Sequence, residues 1–220
     1  MEVGVLRGLK VIGSIVEKKA PGVPPSYVEA HVLMALEKIS SRGIIGRQRL
    51  SKTLRVGEGT VRTMLKRLIH EGLIKVSRGG ITLTQEGKKL LAEFREEISE
   101  EIRVPKTKIT VGEVNVAVLV HGAASAVNKG MEQRDTAIKV GALGATTLIF
   151  DGVKLIIPGV EEAELEEESI YRYLISKLKP KRGDVIIIGS ADDEYRASLG
   201  AKMAAIELLK AKLEGTGDFR

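Results

Sequence analysis

The chain has 220 residues, of which 43% are hydrophobic and only 3% aromatic, with a formal net charge of +6. That is enough for one large or two small domains with aliphatic cores. Cysteine is absent, which excludes disulfides and thiolate metal sites and fits a reducing cytoplasm; no apolar run reaches the ~18 residues needed to span a membrane.

The charge is unevenly spread. Residues 27–98 hold 14 Lys and Arg against 8 Asp and Glu, residues 99–220 hold 17 against 19, and residues 1–26 hold 4 against 2. The basic surplus sits in the first half, as in a module that faces a polyanion beside a neutral companion. A lysine-rich thermophilic composition would raise the total without clustering it. Asparagine occurs only as Asn115 and Asn128, and glutamine only as Gln48, Gln85 and Gln133. Scarce amides and no cysteine are expected of a thermophilic source.

Residues 1–25 come first. Val3, Val5, Leu6, Leu9, Ile12 and Val16 recur at helical spacing between Arg7, Lys10 and Glu17, without the layout of a secretion signal. An amphipathic arm packing on a partner is expected, with a disordered start as the alternative. Ala20-Pro21-Gly22-Val23-Pro24-Pro25 then breaks any helix. Ser26-Tyr27-Val28-Glu29 has capping-box form, and Val28, Val32, Ala35, Leu36 and Ile39 predict a first helix of about 13 residues. Gly43-Ile44-Ile45-Gly46 is short enough for one stub strand. A second helix is expected over Arg47–Leu54, with Leu50 and Leu54 on one face.

The turn Arg55-Val56-Gly57-Glu58-Gly59 carries two glycines that permit positive φ at a sharp inter-helix corner. A third helix follows from Thr60 to about Glu71, buried through Val61, Leu65, Leu68 and Ile69, with Gly72 placed to cap it. Leu73–Ser77 and Ile81–Thr84 alternate like strands around Arg78-Gly79-Gly80, a hairpin signal. A further helix from Gln85 is expected to carry Leu91, Phe94, Ile98 and Ile102 as one stripe. Glu96, Glu97, Glu100 and Glu101 would fill its other face. The stripe fits a dimer seam or packing within its own domain.

Thr60, Arg62, Thr63, Lys66 and Arg67 face away from the apolar stripe of the third helix. Short hydroxyls and long cations near the first half of a helix suit a DNA major groove, where arginine can pair with guanine and threonine can reach a base or phosphate. Arg47, Arg49, Lys52 and Arg55 are expected as phosphate contacts, whose affinity falls steeply with salt. Arg78, at the hairpin tip, is placed to touch a minor groove or backbone, as a secondary contact because the hairpin is short. The alternative is a solvated cationic face on a protein-binding module.

Leu50-Ser51, Gly59-Thr60-Val61-Arg62, Leu68-Ile69-His70-Glu71-Gly72-Leu73-Ile74 and Ile81-Thr82-Leu83-Thr84-Gln85-Glu86-Gly87 resemble the winged helix-turn-helix family of prokaryotic transcription regulators over residues 26–98. The last of these is similar to the family's Leu-Thr-x-x-Gly join between wing and final helix. The resemblance implies a recognition-helix role for Thr60, Arg62, Thr63, Lys66 and Arg67. The whole chain looks like an archaeal group of such regulators with an uncharacterised C-terminal domain.

From Val104-Pro105 onward, strands expected near 107–121, 145–150, 153–157 and 184–189 alternate with helices near 124–140, 162–178 and 193–213. This alternation predicts an α/β layer domain with a mixed sheet, and Asp151-Gly152 a tight hairpin within it. Val120-His121-Gly122-Ala123-Ala124-Ser125 and Ile188-Gly189-Ser190-Ala191-Asp192-Asp193-Glu194 each end a strand and open a helix. Ligands bind at such strand ends in open α/β sheets. His121, Ser125, Arg134, Asp135, Asp192 and Asp193 are therefore candidate ligand contacts. The competing reading makes Asp192 and Asp193 ordinary helix N-terminal residues. Gly141-Ala142-Leu143-Gly144 lacks the lysine and spacing of a phosphate loop and reads as a helix end turning into a strand. The acidic run from Glu161 to Glu168 reads as a solvated helix face.

The expected class is thus a two-domain α+β or α/β protein. It has an arm over 1–25, a winged helix-turn-helix over 26–103 and an α/β effector or dimerisation domain over 104–220. The expected function is a cytoplasmic, homodimeric, sequence-specific regulator of transcription. Double-stranded DNA is its partner and a small-molecule effector acts at the C-terminal domain. No catalytic residue, cofactor, metal or membrane contact is expected. The rivals are an enzyme with an appended winged helix and a winged-helix protein-interaction module. Archaeal riboflavin kinases resemble the first at their N-terminus, but their catalytic domain is a β-barrel.

Overall fold

The computed structural model describes residues 2–18, 26–160 and 168–215. The Pro-rich breaker at 20–25 and most of the acidic run, 161–167, lie outside them. The chain divides into two compact units, Met1–Phe94 and Arg95–Arg220.

The N-terminal unit begins with helix α1, Glu2–Val16. It buries Val5, Leu9, Ile12 and Ile15 against α2 (Glu29–Arg42) and α4 (Glu58–His70). Each such side chain contributes roughly 1.5–3 kcal/mol on burial. The segment expected as an arm is therefore a structural helix of this unit. The capping box expected at Ser26 does not form. α2 starts at Glu29, and His31 Nδ1 accepts the Val28 N–H at 3.1 Å. His31 is buried, and burial lowers its pKa to about 4, which suits an acceptor nitrogen.

Helix α3, Arg47–Leu54, packs on α4 through its buried Leu50 and Leu54. The corner between them departs from expectation. Gly57 has an ordinary φ of −59° and Gly59 lies inside α4, while Arg55 takes the left-handed conformation at φ 47°. Ser51 holds this corner by donating to the Val56 carbonyl at 2.6 Å. Gly72 does close α4 as expected. At φ 70° it donates to Ile69 and Leu73 donates to Leu68, the paired bonds of a Schellman ending.

Strands β1 (Ile74–Ser77) and β2 (Gly80–Leu83) form an antiparallel hairpin, with Ser77 opposite Gly80 across a two-residue turn. Ile45 bridges Ile81 as the expected stub. Thr84 then accepts the Gly87 N–H at 3.0 Å and donates to the Gly72 carbonyl at 2.6 Å, capping α5 (Gln85–Glu97). A Cβ on Gly87 would stand 2.1 Å from the Leu73 carbonyl oxygen. That close approach is why the join needs glycine. Helix α5 ends earlier than its apolar stripe suggested. Ile98 instead bridges Val120, and Ile102 enters a strand.

The C-terminal unit is a five-stranded sheet in the order β3-β4-β7-β5-β6. The strands are β3 (Ile102–Val104), β4 (Val114–Val120), β5 (Gly144–Phe150), β6 (Leu155–Ile156) and β7 (Val185–Ala191). β3 places residues 102–104 in this unit, which begins at Arg95, ahead of the boundary expected at 103. Every pairing is antiparallel, so the two-domain class holds while the sheet is not mixed. Apolar alternation reports which face a residue takes and not the direction of its neighbour. The expected hairpin forms at Asp151, whose carboxylate accepts the Val153 and Lys154 N–H groups. Those bonds, the Lys154 one first, hold its pKa below the usual carboxylate value.

Helix α7, Glu168–Leu178, contributes Ile170 and Leu174 to a core with Leu119, Leu148, Ile186 and Ile188. Helices α6 (Met131–Lys139) and α8 (Glu194–Gly215) pack together and on the strands. α8 comes so near β7 that a Cβ on Gly189 would meet the Ala197 carbonyl at 2.3 Å.

Candidate nucleic-acid interface

Helix α4 buries Val61, Met64, Leu65 and Leu68, and this stripe fixes what points outward. Arg62, Thr63 and Lys66 are exposed and Thr60 is half-buried. Ile69, expected in the stripe, is 46% exposed. Thr63 Oγ1 donates back to the Gly59 carbonyl at 3.2 Å, and this bond fixes its hydroxyl on the helix surface. Arg62 and Lys66 stand one turn apart, and neither has an ion-pair partner among the described residues.

Arg67 behaves differently. Its Nη1 donates to the carbonyls of Ile15 at 2.5 Å and Glu17 at 2.8 Å. Tyr27 donates its hydroxyl to the same Ile15 carbonyl at 2.9 Å, and burial raises the Tyr27 pKa while Arg67 opposes the rise. Arg67 thus satisfies the carbonyl end of α1, where a cation is favoured. It is turned inward, away from the face that carries Arg62 and Lys66.

On α3, Arg49 and Lys52 are exposed, as is Arg55 at the corner. Arg47 lies 3.6 Å from Glu58. Glu58 was missed by sequence reading. It opens α4, where the dipole favours a carboxylate, and it partly neutralises Arg47. Arg78 is exposed in the hairpin turn. Lys75 on β1 is also exposed and was overlooked because it sits inside a strand.

The candidate ligand residues of the C-terminal unit are not brought together. Because β4 and β7 are antiparallel, Val120 pairs with Val185 and Val114 with Ala191. The segments at His121 and Asp192 therefore lie at opposite ends of the sheet, roughly 20 Å apart at ~3.4 Å per residue. At one end His121 Nδ1 is 3.1 Å from Asp184 Oδ2. That carboxylate also accepts the N–H groups of Gly122 and Lys181. Ser125 is exposed on a short 3-10 turn, Ala124–Ala126. At the other end Asp192 is exposed, and Asp193 accepts the Arg196 N–H at 3.1 Å, the ordinary start of a helix. Arg134 and Asp135 bond each other on α6. Among the described residues no group of three or more His, Asp or Glu is placed to hold a metal, and no helix is long and apolar enough to cross a membrane.

The chain is similar to known families in both units. Residues 32–98 match the family model described as "CggR N-terminal DNA binding domain". The N-terminal unit is similar to a DNA-binding domain. Residues 111–208 match "Domain of unknown function (DUF4443)". A solved structure of a hypothetical protein, PH0730 from Pyrococcus horikoshii OT3, is 27% identical with a TM-score of 0.63. That likeness covers 86% of this chain and 95% of the other. None of the curated proteins matches. The match at 32–98 spans α2 to α5 and supports a DNA partner for this unit.

Proposed function

We propose that the protein is a sequence-specific DNA-binding regulator of transcription. α4 enters the major groove, with Thr60, Arg62, Thr63 and Lys66 toward the bases. Arg47, Arg49, Lys52 and Arg55 hold phosphates, and Arg78 adds a secondary contact from the hairpin. Arg67 is left out, since it holds α1. The observation that carries the reading is the exposed pair Arg62 and Lys66 on α4. Neither has an anion to answer it among the described residues, and the helix lies in a segment similar to a DNA-binding domain.

A homodimer in the cytoplasm would present two such helices about 34 Å apart on one face of DNA. The C-terminal unit serves as its effector-binding or dimerising part, and an effector acts by changing operator affinity. DNA selection with purified protein at two salt concentrations, comparing wild type with Arg62→Ala, tests the reading. A defined sequence should be enriched by the wild type and its preference lost in the variant. Failure to enrich any sequence, with no salt-sensitive binding, sinks it in favour of a protein-interaction module.

A further inference from the structure

An open cleft of about 260 Å³ lies beside the start of α6. Lys129 and Arg134 line it, together with Gly130, Thr147, Ile109 and Ile157. No carboxylate lines it among the described residues. Helix α6 spans 9 residues and opens at Gly130, which takes φ 74° and supplies no side-chain cap. The first amides of the helix, at Met131, Glu132 and Gln133, therefore lack an intrahelical acceptor. Such a helix start attracts anions.

The buried side of the cleft points the same way independently. Thr147 is only 4% exposed, and its Oγ1 has no hydrogen-bond partner. A buried hydroxyl left alone is costly, so an unpartnered one calls for an explanation. A Cβ on Gly130 would lie 3.2 Å from that oxygen, so the hydroxyl sits at the mouth of the helix. Lys129 is exposed and without an ion-pair partner among the described residues. Arg134 spends Nε and Nη2 on Asp135, which leaves Nη1.

We propose that this cleft binds the oxyanionic group, phosphate or carboxylate, of a small metabolite. The α6 amides and the Thr147 hydroxyl donate to its oxygens, and Lys129 and Arg134 balance its charge. The cleft is slightly smaller than the roughly 300–1,000 Å³ of most ligand pockets, which suits a head group whose remainder stays in solvent. The inference deepens the reading of this unit as an effector domain and rests on it only for the link to DNA.

The test titrates the full chain with inorganic phosphate and, separately, with acetate, followed by amide NMR and the thermal midpoint. Saturable shifts are expected at Met131, Glu132, Gln133 and Thr147. The double variant Lys129→Gln with Arg134→Gln should weaken binding at least roughly tenfold, because two charge-assisted contacts are lost. Thr147→Val should weaken it by a few-fold with an unchanged circular dichroism spectrum. Lys139→Gln, at the far end of α6, should bind as wild type. Saturation by phosphate alone assigns a phosphorylated ligand, and by acetate alone a carboxylic acid. No saturation by either anion, or equal shifts in the double variant, overturns the proposal. Operator binding by the wild type is measured separately, so its failure would fault the regulator reading and leave the anion titration to be judged alone.

Discussion

In the C-terminal unit, enclosed charges answer one another. Lys212 Nζ lies 2.8 Å from Glu97 Oε2 and also donates to the His121 carbonyl. Lys202 lies 3.3 Å from Glu101, and Asp184 is held by His121 and two backbone amides. On α3 and α4 of the N-terminal unit, Arg49, Lys52, Arg62 and Lys66 stand in solvent with no such partner among the described residues. A charge removed from water must be paired or it destabilises the fold. A charge left in water costs little and builds a field that draws a polyanion. The contrast separates charges that hold the molecule together from charges available to a partner.

The largest test of that contrast is Glu97→Ala. It leaves Lys212 enclosed without its carboxylate and should cost about 3 kcal/mol in urea denaturation. Adding Lys212→Met should recover most of the loss, and no recovery would break the pairing argument. Acid gives the next effect. His31 has a folded pKa of about 4 against an ordinary 6.5, so the unfolded chain takes up its proton first as pH falls. Stability should be whole above pH 6.5 and decline toward pH 4, by up to about 3 kcal/mol. His31→Gln should flatten the denaturant midpoint across that window.

Two arginines on one helix sharpen the comparison further. Arg67→Met should lower stability by about 1–2 kcal/mol, through the lost carbonyl contacts, with sequence preference kept. Arg62→Ala should leave stability within about 0.5 kcal/mol and weaken specific DNA binding roughly tenfold by titration at fixed salt. If the two variants exchanged these effects, the assignment of the α4 face would be wrong. The smallest effect belongs to Arg78→Ala. It should weaken binding by less than about threefold on every sequence alike and lower the salt slope by about 1.

Local signals carried most of the N-terminal unit. The apolar stripe of α3, Gly72 as a left-handed cap and the short turn at Arg78 each act within a few residues and appear where the pattern placed them. The stripe of α4 keeps Val61, Leu65 and Leu68 but takes Met64 in place of Ile69. Errors arose where a distant partner decided. Arg67 looks like its neighbours in sequence, yet its acceptors are the Ile15 and Glu17 carbonyls. Ile98 and Ile102 continue the spacing of Leu91 and Phe94, but pairing with β4 takes them out of the helix. The corner glycines promised positive φ, and Arg55 supplied it. The two strand-end segments of the candidate ligand site stay apart for the same reason. Strand direction is set between β4 and β7, far apart in the chain, and it carries His121 and Asp192 to opposite ends.

The hold of Arg67 on the end of α1 bears on how a minimal DNA-binding fragment should be cut. A fragment begun at Tyr27 would discard Ile15 and Glu17 and release that guanidinium onto the surface of α4. It would also uncover the apolar surface that α1 occupies. Such a fragment would meet DNA with one more free cation than the intact unit has, so its salt dependence and preferred sequence would describe a surface the whole chain does not present. The fragment that preserves the native surface of α4 begins before α1.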